Sequence, residues 1–224
     1  MTKFVIGTAS NSIFFPHLQQ MLYSLRVNLP EQTTVLILDN GLRPFQVEIL
    51  KKHFGFLKLI FYEKQLTQYE KSSYLFKTFI HEIALEQYTN HIYLWMDSMT
   101  TLKADSNKLL QMLEVQPVYS LYAFDEAESK WTDKRTMDII GLNDEQRQTP
   151  QFQAGGQIHD LRNIKAIEFL STLIKYNYQK ECITPEGSSR ANHRQDQSVL
   201  SCLLKKYGFT KNPNLWATCH NRIF

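Results

Sequence analysis

The stretch Tyr93-Leu94-Trp95-Met96-Asp97-Ser98-Met99-Thr100 ends an apolar run on a single acid. An aspartate at such a place either accepts backbone hydrogen bonds as a turn or cap residue, or holds a hard divalent cation whose other ligands are substrate phosphates. One carboxylate makes no complete cage, so the second reading needs a further ligand that spacing alone does not supply. Two more polar groups end apolar runs: Thr8-Ala9-Ser10-Asn11 and Asp39-Asn40-Gly41. Gly155 and Gly156 sit inside the apolar piece FQAGGQI, where paired glycines weaken a strand unless the backbone must pass close to something; a β-bulge is the bland counterpart. The densest polar run is Asn192-His193-Arg194-Gln195-Asp196-Gln197-Ser198. Asp196 there suits a helix cap, but the polar density exceeds what capping requires.

These residues need a frame. Phe4 to Thr8 reads as a strand, and a helix after Pro16 would bury Leu18, Leu22 and Leu25. Val35 to Leu38 is a second strand, closed by the turn at Asp39 to Gly41, and a helix from Pro44 to His53 would bury Val47 and Leu50. Leu57 to Phe61 is a third strand. A long helix is expected from about Ser72 to Gln87 with Phe76, Ile80 and Ile83 inward, and Ile92 to Met96 is the fourth strand, running into Asp97. Beyond residue 110 the pattern loosens. Pro117 to Phe124 and Phe152 to Ile158 are strand-like, Lys134 to Ile140 is a short helix, and a helix from Asn163 would place Ile164, Ile167, Ser171 and Ile174 on one side. A last helix near Gln195 carries Val199, Leu203 and Tyr207.

Apolar strands separated by helices imply an α/β fold with a mainly parallel sheet covered on both faces. Ligands then sit outside the carboxyl ends of the strands, the edge that carries Thr8 to Asn11, Asp39 and Asp97 with Ser98.

The 224 residues suit a single domain, 1–224, large enough to bury roughly two thirds of its unfolded surface. A hydrophobic fraction of 43% and a charged fraction of 21% are globular values. No apolar run reaches bilayer length, so a cytoplasmic protein is expected, with contact limited to the inner face of a membrane. Cys182, Cys202 and Cys219 form no CxxC pair, and neither a disulfide framework nor a thiolate zinc site is indicated. The net charge of +3 comes without a dense basic block, which argues against nucleic acid. GTASNS lacks the glycine pattern of dinucleotide-binding dehydrogenases.

In order and layout, FVIGTASNSIFFPHLQQMLYSL, VLILDNGL, YLFKTFIHEIAL, YLWMDSMT, FQAGGQIHD and NHRQDQSVLSCLLKKYG resemble the nucleotide-sugar glycosyltransferases of the GT-A type. The resemblance covers nearly the whole chain and implies a GT-A, Rossmann-like domain. Residues 1–110 would form the nucleotide-sugar-binding half and 111–224 the acceptor-binding and catalytic half. Asp97 resembles the first acid of the family's Asp-x-Asp motif, which holds Mn²⁺ or Mg²⁺ under the donor diphosphate. Met99 replaces the second acid, and a thioether is a poor ligand for a hard cation. By the same resemblance Thr8, Ala9, Ser10, Asn11, Asp39, Lys77, Ser98, Gly155, Gly156 and Arg194 line the donor site, with Gln153 and Gln157 beside the sugar hydroxyls. His220 and Arg222 return to the metal or diphosphate. The Asp196-Gln197 pair stands at the anomeric centre, with Asp196 as base or sugar-hydroxyl anchor. The implied partners are a nucleotide-diphosphate sugar donor and a glycan or lipid-linked glycan acceptor. Sugar-nucleotide hydrolysis, nucleotidyl transfer and a non-catalytic glycan-binding role are the alternatives.

Overall fold

A computed structural model describes residues 2–211 and 216–219, and the backbone alone for 122–125. Its strands are β1 (Phe4–Ser10), β2 (Thr34–Asp39), β3 (Lys58–Glu63), β4 (Ile92–Met96), β5 (Thr100–Leu102), β6 (Val118–Ala127), β7 (Pro150–Asp160) and β8 (Ala217–Cys219). Between them run helices α1 (Phe15–Asn28), α2 (Pro44–His53), α3 (Gln68–Ser72), α4 (Phe76–Gln87), α5 (Ser106–Leu113), α6 (Glu128–Trp131), α7 (Lys134–Ile140), α8 (Asp144–Arg147), α9 (Ile164–Asn177), α10 (Lys180–Ile183) and α11 (Asp196–Lys206).

Six strands form one sheet in the order β3-β2-β1-β4-β7-β6. The first four are parallel, and β7 enters antiparallel between β4 and β6. Strands from both halves of the chain thus share one sheet, which makes a single α/β domain. Along each strand alternate side chains reach opposite faces. Val5, Leu36, Leu38, Tyr93 and Trp95 join the core under α4, α9 and α11, whereas Ile6, Val35, Ile37, Leu94 and Met96 join the core under α1, α2 and α5. β5 and β8 form a separate two-stranded ribbon. Among the described residues no helix is long and apolar enough to cross a membrane.

Two expectations change. The helix expected from about Ser72 to Gln87 begins only at Phe76, because Tyr74 takes a left-handed backbone, φ +60°, that parts it from α3. In α9 the buried stripe is Ala166, Phe169, Leu170 and Leu173. Of the stripe expected at Ile164, Ile167, Ser171 and Ile174, Ile167 and Ile174 pack against the margin of this core, whereas Ser171 is exposed and Ile164 is 64% exposed.

A buried polar cluster ties α11 to α6 and β7. Lys205 Nζ meets Glu128 Oε2 at 2.5 Å with both side chains shielded from water. Thr132 and Gln151 donate to the other Glu128 oxygen, and Ser201 donates to Oε2. Ser198 Oγ donates to the Trp131 carbonyl at 3.0 Å. Removing one member of a buried pair leaves an uncompensated charge, which costs more than replacing both.

Beneath the sheet's α4 face lie two buried histidines. His81 Nδ1 shares a 2.7 Å hydrogen bond with the Tyr93 hydroxyl, and the His159 ring stacks on Tyr93 at 5.7 Å. Burial holds His159 down to about 3 and also depresses His81.

Two outcomes follow for stability. Glu128→Gln lowers unfolding free energy by about 3–5 kcal/mol, and Glu128→Leu combined with Lys205→Met costs less than that single change, both read from urea denaturation. The histidines stay neutral in the folded chain while the unfolded chain protonates near pH 6.5, so stability is full above that value and falls as the pH drops towards about 3. His159→Phe flattens the decline between pH 7 and pH 5, seen as a smaller shift in urea midpoint.

Candidate active site

Asp97 leaves β4 in phase with Tyr93 and Trp95, so the three side chains share the sheet face covered by α4. Trp95 Nε1 donates to Asp97 Oδ1 at 2.8 Å and fixes the carboxylate. The Asp97 amide donates to the Gly155 carbonyl at 2.8 Å, continuing the β4–β7 ladder, and Thr100 Oγ1 donates to the same oxygen at 2.8 Å. One turn of α4 separates Lys77 from His81, which places both over Trp95; the Lys77 ammonium lies 5.5 Å from the Trp95 ring.

Asp196 arrives from the other half of the chain. Gln195 has φ +46° and ψ −121°, a region costly for any residue with a Cβ, and this turn delivers Asp196 into the first turn of α11. The Lys77 ammonium lies 3.1 Å from Asp97 Oδ1 and 2.9 Å from Asp196 Oδ2, and it donates to the Ala154 carbonyl at 3.4 Å. Its side chain is 5% exposed, against 37% for Asp97 and 10% for Asp196.

Electrostatics follow from that arrangement. Burial pushes the Lys77 ammonium towards neutrality, but the charges of Asp196 and Asp97 outweigh it and raise the group above its ordinary value. Burial raises the Asp196 carboxyl against the pull of Lys77, and the Asp97 charge adds to the rise. Two carboxylates against one ammonium leave the centre with one negative charge when all three are ionised.

The paired glycines satisfy both readings given to them. Tyr122 pairs with Phe152 but Ser120 with Gln157, so β7 bulges outward between those pairs. The bulge brings Gly155 against the acid: a Cβ there would sit 3.2 Å from Asp97 Oδ2 and 3.0 Å from Cys219 Sγ. At Gly156 it would meet Leu121 at 3.1 Å and Trp216 at 3.2 Å. Gln157 lies beneath this floor, donating to the Ala154 carbonyl at 3.2 Å.

Other expected site residues take local roles. Asp39 Oδ1 accepts from the Gly41 and Leu42 amides at 2.8 and 2.7 Å, an Asx turn. Asn11 Oδ1 accepts from the Ile13 and Phe14 amides at 3.0 and 3.2 Å. Thr8 and Ser10 are buried on β1, Ala9 is half-buried, and the Thr8 hydroxyl has no hydrogen-bond partner among the described residues. Ser98 is buried in the turn after Asp97. Gln197 donates to Gln151 at 2.7 Å and so joins the Glu128 cluster. Arg194 stacks over Trp131 at 4.3 Å. His220 and Arg222 lie outside the described residues. A cleft of about 290 Å³, lined by Asp39, Asn40, Gly41, Lys64, Leu66 and Lys71, opens where β2 and β3 end. A larger cavity of about 630 Å³ lies between α7 and α10 and is lined by none of the residues around Asp97.

Sequence reading missed Trp95 and Cys219 as neighbours of this centre, whereas Tyr74 is visible beside Lys77 and does face its ammonium. Trp95 was legible, because a residue two before Asp97 on a strand shares its side. Cys219 was not, since it reaches Asp97 only through the β5–β8 pairing.

As for a metal, the described residues hold no group of three His, Cys, Asp or Glu able to enclose an ion. Asp97 Oδ1 is already engaged by Trp95 and Lys77, while Oδ2 faces Gly155. One carboxylate oxygen is what a cation otherwise ligated by phosphate and water requires, and the negative charge at the centre favours one.

No protein-family model and no curated protein matches the chain. Solved structures do. The WbbM bifunctional glycosyltransferase superposes with a TM-score of 0.58 at 12% identity, over 90% of this chain and 37% of that one. GlyE, a glycosyltransferase of Streptococcus pneumoniae TIGR4, gives 0.55 at 17% identity over 92% of this chain and 44% of its own. Mouse xyloside xylosyltransferase 1 gives 0.55 at 12% identity over 92% and 82%. This chain therefore spans less than half the length of the first two. At such identities the likeness is one of fold alone, and it recurs across separate glycosyltransferases: the chain has the GT-A-like fold that its sequence resemblance implies.

Proposed function

We propose that this chain transfers a sugar from a nucleotide-diphosphate donor to a hydroxyl of a glycan or glycolipid acceptor. The observation that carries the reading is the convergence of Asp97, Lys77 and Asp196, from the end of β4, α4 and α11, on one point at the carboxyl edge of the sheet, where Lys77 and Asp196 are buried and Asp97 is open to a ligand. Glycosyl transfer builds positive charge on the sugar ring and negative charge on the departing diphosphate, so it needs a carboxylate facing the ring and cations facing the phosphates. Asp196 meets the first need. Buried and raised, it either accepts the acceptor's proton or anchors a sugar hydroxyl. Lys77 meets the second and also keeps the two acids apart.

A Mn²⁺ or Mg²⁺ ion is part of this proposal, held by Asp97 Oδ2 together with donor phosphate oxygens; it would supply charge neutralisation to the leaving diphosphate. The chain's own part is to orient Asp97 through Trp95 and the Gly155 carbonyl, and to keep water away through the packing of Lys77 against Trp95 and Tyr74. The cleft at the end of β2 and β3 would take the nucleoside.

One observation favours a second reading, binding without turnover: both carboxylates are already paired with Lys77. Under it, nucleotide would bind but sugar would never leave the donor in the presence of any acceptor.

The test is calorimetric titration of the chain with UDP, GDP, CMP and dTDP, each with Mn²⁺, Mg²⁺ or EDTA. One diphosphate nucleotide binds, and its affinity falls at least about tenfold with EDTA or in Asp97→Asn, the size of one lost charged contact. A folded chain that binds none of the four nucleotides overturns the proposal. Lys77→Met weakens diphosphate binding by a similar factor and lowers Asp196's hold on its position, read as slower donor turnover.

A further inference from the structure

Tyr74, the residue whose left-handed backbone parts α3 from α4, has cations on its ring and at its hydroxyl. The Lys77 ammonium lies 5.6 Å from the ring centroid and the Arg190 guanidinium 5.9 Å from it. Arg190 Nη1 also donates to the Tyr74 hydroxyl at 3.2 Å. Arg190 belongs to a closed loop in which Asn192 Oδ1 accepts from the Ser189 amide at 2.8 Å, and the His193 amide donates to the Ser189 carbonyl at 2.8 Å. The loop ends at Arg194, whose amide donates to Ser198 Oγ at 2.9 Å and whose guanidinium covers the Trp131 ring at 4.3 Å. Each guanidinium thus has an aromatic support and a backbone anchored by hydrogen bonds.

The two arginines also feel each other. Burial lowers the Arg194 guanidinium from its ordinary value, and the charge of Arg190 lowers it further. Like charges brought together cost energy, and Arg190 stands beside the Lys77 ammonium through Tyr74. With Asp97 and Asp196 counted against Lys77, Arg190 and Arg194, three cations face two carboxylates. The innermost centre is negative, while these five groups together carry one positive charge. The excess lies on the Asp196 side: Arg194 precedes that acid by two residues, and Trp131 follows β6, across β4 from the β1 and β2 ends where a nucleoside would sit.

We propose that Arg190 and Arg194, supported by Tyr74 and Trp131, form a subsite for an anionic group, a phosphate or a carboxylate, carried by the acceptor. This rests on the reading of the Asp97–Lys77–Asp196 centre as a site of sugar transfer. Guanidinium is the side chain suited to the task, because its planar fork meets phosphate and carboxylate oxygens in pairs and it stacks on aromatic faces without losing its donors. The acceptor class is then an anionic sugar or a sugar phosphate, in place of a neutral oligosaccharide.

The experiment is calorimetric titration with glucose 1-phosphate, glucuronate and glucose, in the presence of whichever nucleoside diphosphate binds. The two anionic probes bind at least about tenfold more tightly than glucose, as expected for charge-assisted contacts. Arg190→Gln and Arg194→Gln each remove most of that preference, Arg190→Lys retains part of it, and in Arg190→Gln nucleoside diphosphate affinity changes less than about twofold. Equal affinity for glucose and the anionic probes overturns the proposal. So does a loss that falls on nucleoside diphosphate in place of the sugar probes, which would assign the arginines to the leaving group. If no nucleotide binds at all, the glycosyl-transfer reading fails separately, and the subsite stands or falls on whether Arg190→Gln abolishes preference for glucose 1-phosphate over glucose in the protein alone.

Discussion

One ammonium between two carboxylates is the constraint around which the rest is arranged. Asp97 and Asp196 come from opposite halves of the chain and would repel each other around a buried ammonium position. Lys77 removes that conflict, and the energy it returns is spent on geometry. Its position requires α4 to begin where it does, which in turn requires Tyr74 to break the preceding helix with a positive φ. Asp196 requires the strained turn at Gln195, and α11 tolerates that turn because Glu128, Lys205, Ser198 and Ser201 hold the helix from behind. The strained residues flank the centre on both sides, which is the pattern expected where a fold trades local comfort for placement.

Much of the frame was legible from periodicity. Four strands of the parallel half were visible as apolar runs, and their carboxyl ends marked the edge where Asp97 stands. The α9 stripe was centred to one side of the buried one because Ile164 is as apolar as Leu170, so hydrophobicity gives the period of an amphipathic helix but not which of two neighbouring stripes meets the sheet. The break at Tyr74 was hidden for another reason. Tyrosine carries no turn signature, and the conformation it adopts is imposed by tertiary packing.

At the site, sequence identified the chemistry better than the company. Asp97, Lys77 and Asp196 were each visible as candidates, yet nothing in their spacing says that one ammonium joins the two acids. Gly155 and Gly156 were noticed as unexplained in a strand, and the explanation needs atoms far away in sequence, on Asp97, Cys219, Leu121 and Trp216. Asp39 and Asn11 turned out to have their oxygens engaged by their own loops, which is how such residues most often behave.

The histidine and tyrosine layer below Lys77 has a consequence for how the centre responds to its surroundings. His81, Tyr93 and His159 are hydrogen-bonding and polarisable, yet burial keeps the histidines from taking a proton and the phenol from losing one. The layer is therefore an electrical insulator: it offers dipoles to the cleft but never a change of charge. Across the neutral range the field above it is set by the acids and cations of the cleft alone, and a shift in ambient pH reaches the chemistry through the raised Asp196 carboxyl and the ligand's own ionisation, with the floor of the site left as it was.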